Sequence, residues 1–158
     1  MEIQYEYGNI LDTEAKYIAH CVNAQHVMAS GVAKAIRERY PKAYDDYMSS
    51  ALPLGKVILS KNEPHNILHI VGQQYYGREP GRVYVDYPAL RRGIATINKH
   101  INEPVAFPMI GCGLAGGDWI IVSDIIKEES TNFQPIVYLL DDGIPYLERG
   151  QAGNAAPC

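Results

Sequence analysis

Cysteine is scarce: Cys21, Cys112 and Cys158 are the full complement. An odd number with no C-x-x-C pair argues against a disulfide framework and a zinc knuckle, and fits a reducing compartment. Positive charge is also in short supply. With 14 Lys and Arg against 18 Asp and Glu, the formal charge is -4, so no surplus of cations exists to neutralise a run of phosphates, and extended nucleic acid is not an expected partner. No apolar stretch approaches a membrane span, and the opening MEIQYEYGNI has neither the basic start nor the apolar run of an export signal. The expectation is a cytoplasmic monomer with no membrane role. There is no Walker A sequence and no internal repeat, and His65, His69 and His100 are too scattered for metal-ligand spacing. No metal and no cofactor is called for.

What is present fits one compact domain: 158 residues, 47% hydrophobic and 20% charged, enough for a single full-sized core. Residues 1–148 form that domain in this reading. The closing RGQAGNAAPC, residues 149–158, has small residues and no apolar period, and is expected to be a disordered tail.

Residues 2–7 alternate, with Ile3, Tyr5 and Tyr7 opposite Glu2, Gln4 and Glu6, the period of a half-exposed strand. A strand follows over 17–22, then helical spacing at Val32, Ala33, Ile36 and Tyr40, and a second helix that starts at Pro41. Residues 56–60 and 66–71 read as short strands about a polar turn. Tyr87, Leu90, Ile94, Ile97 and Ile101 mark a helix with Asp86 at its N-cap position. A strand over 105–110, a helix through Trp119, Val122, Ile125 and Ile126, and a strand over 136–140 complete the pattern. Strands alternating with helices imply an α/β fold, a three-layer α/β/α sandwich about a mixed, largely parallel sheet. Ligands in such sheets bind at the carboxyl ends of the strands.

Two glycine-containing loops join a strand to a helix. Gly111 to Gly117 matches G-x-G-x-x-G, but it comes too late in the chain to open a Rossmann unit. Asn23 to Gly31 makes the same junction earlier. Each offers main-chain amides and a helix dipole to an anion, although a tight turn explains either loop alone equally well. Together they fit two cradles for a diphosphate.

The segments IAHCVNAQHVMASGVAKAIRERYPKAY and FPMIGCGLAGGDW resemble the macro domains, most of all the phage and microbial branch associated with ADP-ribose-1''-phosphate processing. The resemblance spans about residues 1–140. It implies a small-molecule ligand, ADP-ribose or its 1''-phosphate, in a cleft over the sheet. By that resemblance Asn9 and Ile10 meet the adenine, and Leu140 lines its pocket. Asn23 bonds the distal ribose, and Gly31, Val32 and Ala33 hold one phosphate. Gly111, Cys112, Gly113, Leu114 and Ala115 hold the other phosphate and the distal ribose, and Met28 and Ile110 are counted among the ligand-binding residues. Asn9 stands where the family has aspartate, which removes charge assistance from an adenine contact. Ala29 stands where relatives often carry glycine, so its Cβ would disfavour a left-handed backbone there.

The implied activity is hydrolytic removal of the 1''-phosphate. A non-catalytic ADP-ribose reader and an ADP-ribosyl hydrolase acting on modified protein or nucleic acid are the alternatives. His20 is the leading catalytic candidate, since a histidine beside the ribose loop shuttles protons at neutral pH. A core histidine satisfied within a buried strand is the competing reading, and the sequence does not choose. Asn23 is counted with it as an orienting group. Cys112 has no motif to supply a base and reads as a small buried residue, and Asp118 as a helix cap. Relatives that cleave glutamate esters place an aspartate after the G-C-G-L run and a lysine in the central segment. Here those places hold Ala115 and Gln73-Gln74, which disfavours a lysine adduct.

Overall fold

A computed structural model describes residues 1–29, 31–112 and 115–140. Gly113, Leu114 and the expected tail therefore lie outside the described residues. Six strands are assigned: β1 (Gln4–Tyr7), β2 (Tyr17–Asn23), β3 (Val57–Ser60), β4 (Asn66–Gln73), β5 (Val105–Phe107) and β6 (Pro135–Leu139). Four helices join them: α1 (Gly31–Arg39), α2 (Pro41–Ser49), α3 (Tyr87–His100) and α4 (Trp119–Glu129). The sheet order is β1-β6-β5-β2-β4-β3, with β3 antiparallel to β4 and every other pairing parallel. This is the expected mixed, largely parallel sheet.

Side chains alternate between its two faces. Ile18, Val22, Ile67 and Val71 join the core under α1 and α2, while Ala19, Leu68, Ile70 and Phe107 join the core under α3 and α4. Helix ends follow their local chemistry. Asp86 and Asp118 cap α3 and α4 by accepting from the backbone N–H of Ala89 and Ile120, each at 2.9 Å. On α3 the sheet-facing stripe is Ala89, Leu90, Gly93, Ile94 and Ile97. A Cβ on Gly93 would strike the Ile70 side chain, so glycine lets this helix lie close on β4.

Three departures from the expected elements have physical causes. β5 stops at Phe107 instead of reaching Ile110, because Pro108 has no N–H for the ladder; the Ile110 N–H turns back to the Pro108 carbonyl at 2.7 Å. β1 is an edge strand, and its Tyr5 and Tyr7 stay exposed despite their alternation. A 3-10 turn, Ile10–Asp12, is present where no element was expected; the Asn9 side chain caps it by accepting from Leu11 N–H at 2.9 Å. Among the described residues no helix is long and apolar enough to cross a membrane.

Candidate functional site

A cleft opens where β2, β4 and β5 end, walled by the start of α1 and by the segment after β4. Its volume of about 180 Å³ is small beside the roughly 300–1,000 Å³ of pockets that enclose a drug-sized ligand. Carboxyl ends of parallel strands are where open α/β sheets place ligands.

Asn23, the last residue of β2, organises one wall. Its Oδ1 accepts from Gln25 N–H (3.0 Å), Val27 N–H (3.3 Å) and the Tyr47 hydroxyl (2.9 Å), and its Nδ2 donates to Val27 O at 2.9 Å. The amide thus folds the loop back over itself, and its second N–H remains for other use. The left-handed turns fall at His26 (φ 63°) and Gly31 (φ 59°), and Ala29 avoids that region, so its Cβ carries no backbone strain. Gln25 Oε1 accepts from Tyr76 N–H at 2.9 Å, tying this loop to the opposite wall.

His20 precedes that loop by three residues and borders the cleft while being almost fully buried. Its Nε2 lies 2.7 Å from Nδ1 of His69, its cross-strand neighbour on β4. The Tyr47 ring stacks on His69 at a centroid distance of 5.8 Å, and its hydroxyl shares its proton between Asn23 O (2.6 Å) and Oδ1. Burial, then the neighbouring His69, keeps the His20 pKa well below 6.5. Burial likewise lowers His69, to about 4. Both rings are neutral at pH 7, the state in which a histidine accepts a proton.

The second glycine loop closes the far side. Ala115 borders the cleft and its carbonyl accepts from Tyr84 N–H at 2.7 Å. A Cβ on Gly117 would collide with the Gly111 carbonyl, and one on Gly116 with the Arg82 carbonyl, so these glycines permit a tightly folded turn. Burial pushes the Cys112 thiol up to about 12, which leaves it inert as a nucleophile. Asp118 is occupied as a cap.

Of the residues expected in the site, the structure gathers His20, Asn23, Val32, Ala33, Ile110 and Ala115 around the cleft. Gly31 and Gly111 form its turns without lining it, and Ile10, Met28 and Cys112 are buried in the two cores. Asn9 and the exposed Leu140 lie beyond the lining. Sequence reasoning missed Arg78 and Tyr76, which do line it. Their segment has no period to reveal it. Among the described lining residues there is no lysine and no carboxylate, and no group of three or more His, Cys, Asp or Glu is placed to hold a metal among the described residues.

The fold is a three-layer α/β/α domain in which two strand-to-helix loops border a cleft at the carboxyl ends of the strands. Residues 19–126 match the family model for the macro domain, and the chain belongs to that family. It is 27% identical over 149 residues to a 17.5 kDa protein of enterobacteria phage T4, covering 87% of this chain and 96% of that one. It is 24% identical to the ADP-ribose glycohydrolase OARD1 of Bos taurus, covering 78% and 81% of the two chains. The DarTG structure of Thermosipho africanus in complex with ADP-ribose superposes with a TM-score of 0.73 at 19% identity, covering 88% of this chain and 42% of that one, and shows the shared fold.

Proposed function

We propose that the protein binds ADP-ribose and hydrolyses a derivative of it, with ADP-ribose-1''-phosphate as the substrate that best fits the cleft. The carrying observation is the cleft itself. It is lined by a neutral, buried histidine (His20), an asparagine (Asn23) and an arginine (Arg78), with no lysine or carboxylate among its described lining residues. Water attacks the phosphorus while His20 takes its proton, the bond from phosphorus to the 1''-oxygen breaks, and ADP-ribose leaves as that oxygen takes up a proton from His20 or from solvent. Arg78 offsets charge on the phosphoryl oxygens. A lysine adduct at the anomeric carbon has no lysine among the described lining residues to form it.

Incubation with ADP-ribose-1''-phosphate and an assay of inorganic phosphate tests this. Release above a heat-inactivated control is expected. Binding of ADP-ribose without release would leave a reader. A second reading, removal of ADP-ribose from a modified macromolecule, is favoured by the resemblance to OARD1. Loss of label from modified protein or oligonucleotide, with no action on the 1''-phosphate, would establish it.

A further inference from the structure

Ala43 and Tyr47 are the buried face of α2, one turn apart, and neither side chain reaches solvent. Phenylalanine would serve the packing at position 47 equally well, whereas a fully buried hydroxyl has to find a partner. Here both of its acceptors belong to one residue. The Tyr47 hydroxyl lies 2.6 Å from the Asn23 carbonyl oxygen and 2.9 Å from Asn23 Oδ1. A helix that contributes no residue to the described lining of the cleft thus holds one that does. Burial raises the Tyr47 phenol to about 12, which keeps it a donor throughout the neutral range.

Oδ1 of Asn23 also accepts from the N–H groups of Gln25 and Val27, so with Tyr47 it has three donors and is saturated. Nδ2 gives one N–H to the Val27 carbonyl. The second N–H is what the amide can offer to the cleft, and a donor complements the lone pairs of a sugar hydroxyl. The same loop is held on α2 at another point. His26, whose backbone is left-handed at φ 63°, bonds through Nε2 to the carbonyl of Ser50, the C-cap of α2, at 2.9 Å. A carbonyl only accepts, so Nε2 carries the proton. The Tyr47 ring neighbours His26 at 5.6 Å and stacks on His69 at 5.8 Å, and His69 Nδ1 is 2.7 Å from His20 Nε2. The hydroxyl serves Asn23, while the ring serves the histidine pair.

We propose that Tyr47 is a positioning residue of the cleft, whose hydroxyl locks the Asn23 amide with Oδ1 turned to the loop and one Nδ2–H left for a sugar hydroxyl of the ligand. The ligand half of this rests on the ADP-ribose reading; the orientation of the amide does not. Recognition of the distal ribose then depends on a side chain of α2 that lies behind the cleft wall.

Tyr47→Phe removes the hydroxyl and keeps the ring, so the stack on His69 stays. In proton–nitrogen spectra of the full chain without ligand, the two Nδ2 protons of wild-type Asn23 are expected as a widely separated pair. In Tyr47→Phe that pair should shift and narrow toward the spacing of a solvent-exposed asparagine. ADP-ribose carries the distal ribose and ADP lacks it, so the two ligands separate positioning from general stability. By calorimetry Tyr47→Phe should weaken ADP-ribose about tenfold, the upper end of what one net hydrogen bond contributes, and leave ADP within about twofold of the wild type. An unchanged Asn23 amide pair, or an equal loss for both ligands, would overturn the proposal. Should Tyr47→Phe fail to fold, the wild type still decides. Its Tyr47 hydroxyl proton should be protected from exchange and show a cross-relaxation contact with the Asn23 side-chain amide; a hydroxyl proton in fast exchange would overturn the proposal. If the wild type binds neither nucleotide while the amide pair responds to Tyr47→Phe as expected, the ADP-ribose reading fails and the orientation stands.

Discussion

Asn23→Ala should cost stability as well as ligand affinity, because the side chain binds its own loop before it binds anything else. The substitution removes the four hydrogen bonds of the Asn23 amide, each with a net value of about 0.5–1.5 kcal/mol. The Tyr47 hydroxyl keeps its 2.6 Å bond to the Asn23 carbonyl, and the exposed Gln25 N–H is rehydrated. The expected loss is about 2–3 kcal/mol, which for a domain of this size lowers Tm by roughly 4–12 °C. Affinity for ADP-ribose should fall by a further ~1–3 kcal/mol as the loop loses its shape and the ribose its donor. Calorimetric melting and ADP-ribose titration of the same variant separate the two effects. A full loss of affinity at unchanged Tm would refute the loop-clamp role. A lowered Tm at unchanged affinity would refute the ribose contact.

His20→Ala should reduce turnover about a hundredfold or more with little change in ADP-ribose affinity, the signature of an interaction made in the transition state, and single-turnover kinetics beside calorimetry checks this. ADP-ribose should bind in the micromolar range and AMP far more weakly, since the diphosphate and distal ribose meet the two loops; equal affinities by calorimetry would contradict the cradle reading. Burial lowers the pKa of both histidines below 6.5, so the unfolded chain takes up more protons than the folded one as the solution is acidified. Their contribution to stability is complete above about pH 6.5 and is lost as pH falls toward about 4, the His69 value. Melting curves across that window should show Tm falling with acid, and falling less in His69→Ala.

The order of strands and helices was legible because most elements are strongly periodic and their caps are local. Asp86 and Asp118 could be read as caps from a few neighbouring residues, since the bond each makes spans only two or three positions. Interactions across the chain were not legible. His20 and His69 are 49 positions apart and meet only through the register of β2 on β4. Judged by sequence spacing alone, His69 looked like one of several scattered histidines. Arg78 was hidden for a different reason: the segment after β4 takes its course from single contacts such as Gln25 to Tyr76, and no hydropathy period records them. The pairing of Tyr5 and Tyr7 with Ile3 in one stripe was read correctly as a strand. Its burial was overestimated, because alternation does not tell an edge strand from a covered one.

The single antiparallel strand has a consequence for engineering. All the strands that border the cleft run the same way, so β3 returns the chain to the far rim of the sheet, and the connections there include residues 61–64 and 102–104. Most of these positions are exposed, and none touches the ligand side. That rim is a handle. A fluorophore or affinity tag inserted at Asn102–Glu103 reports on the protein from the side remote from its chemistry, and loop exchange between relatives can proceed at one rim while the other is left intact.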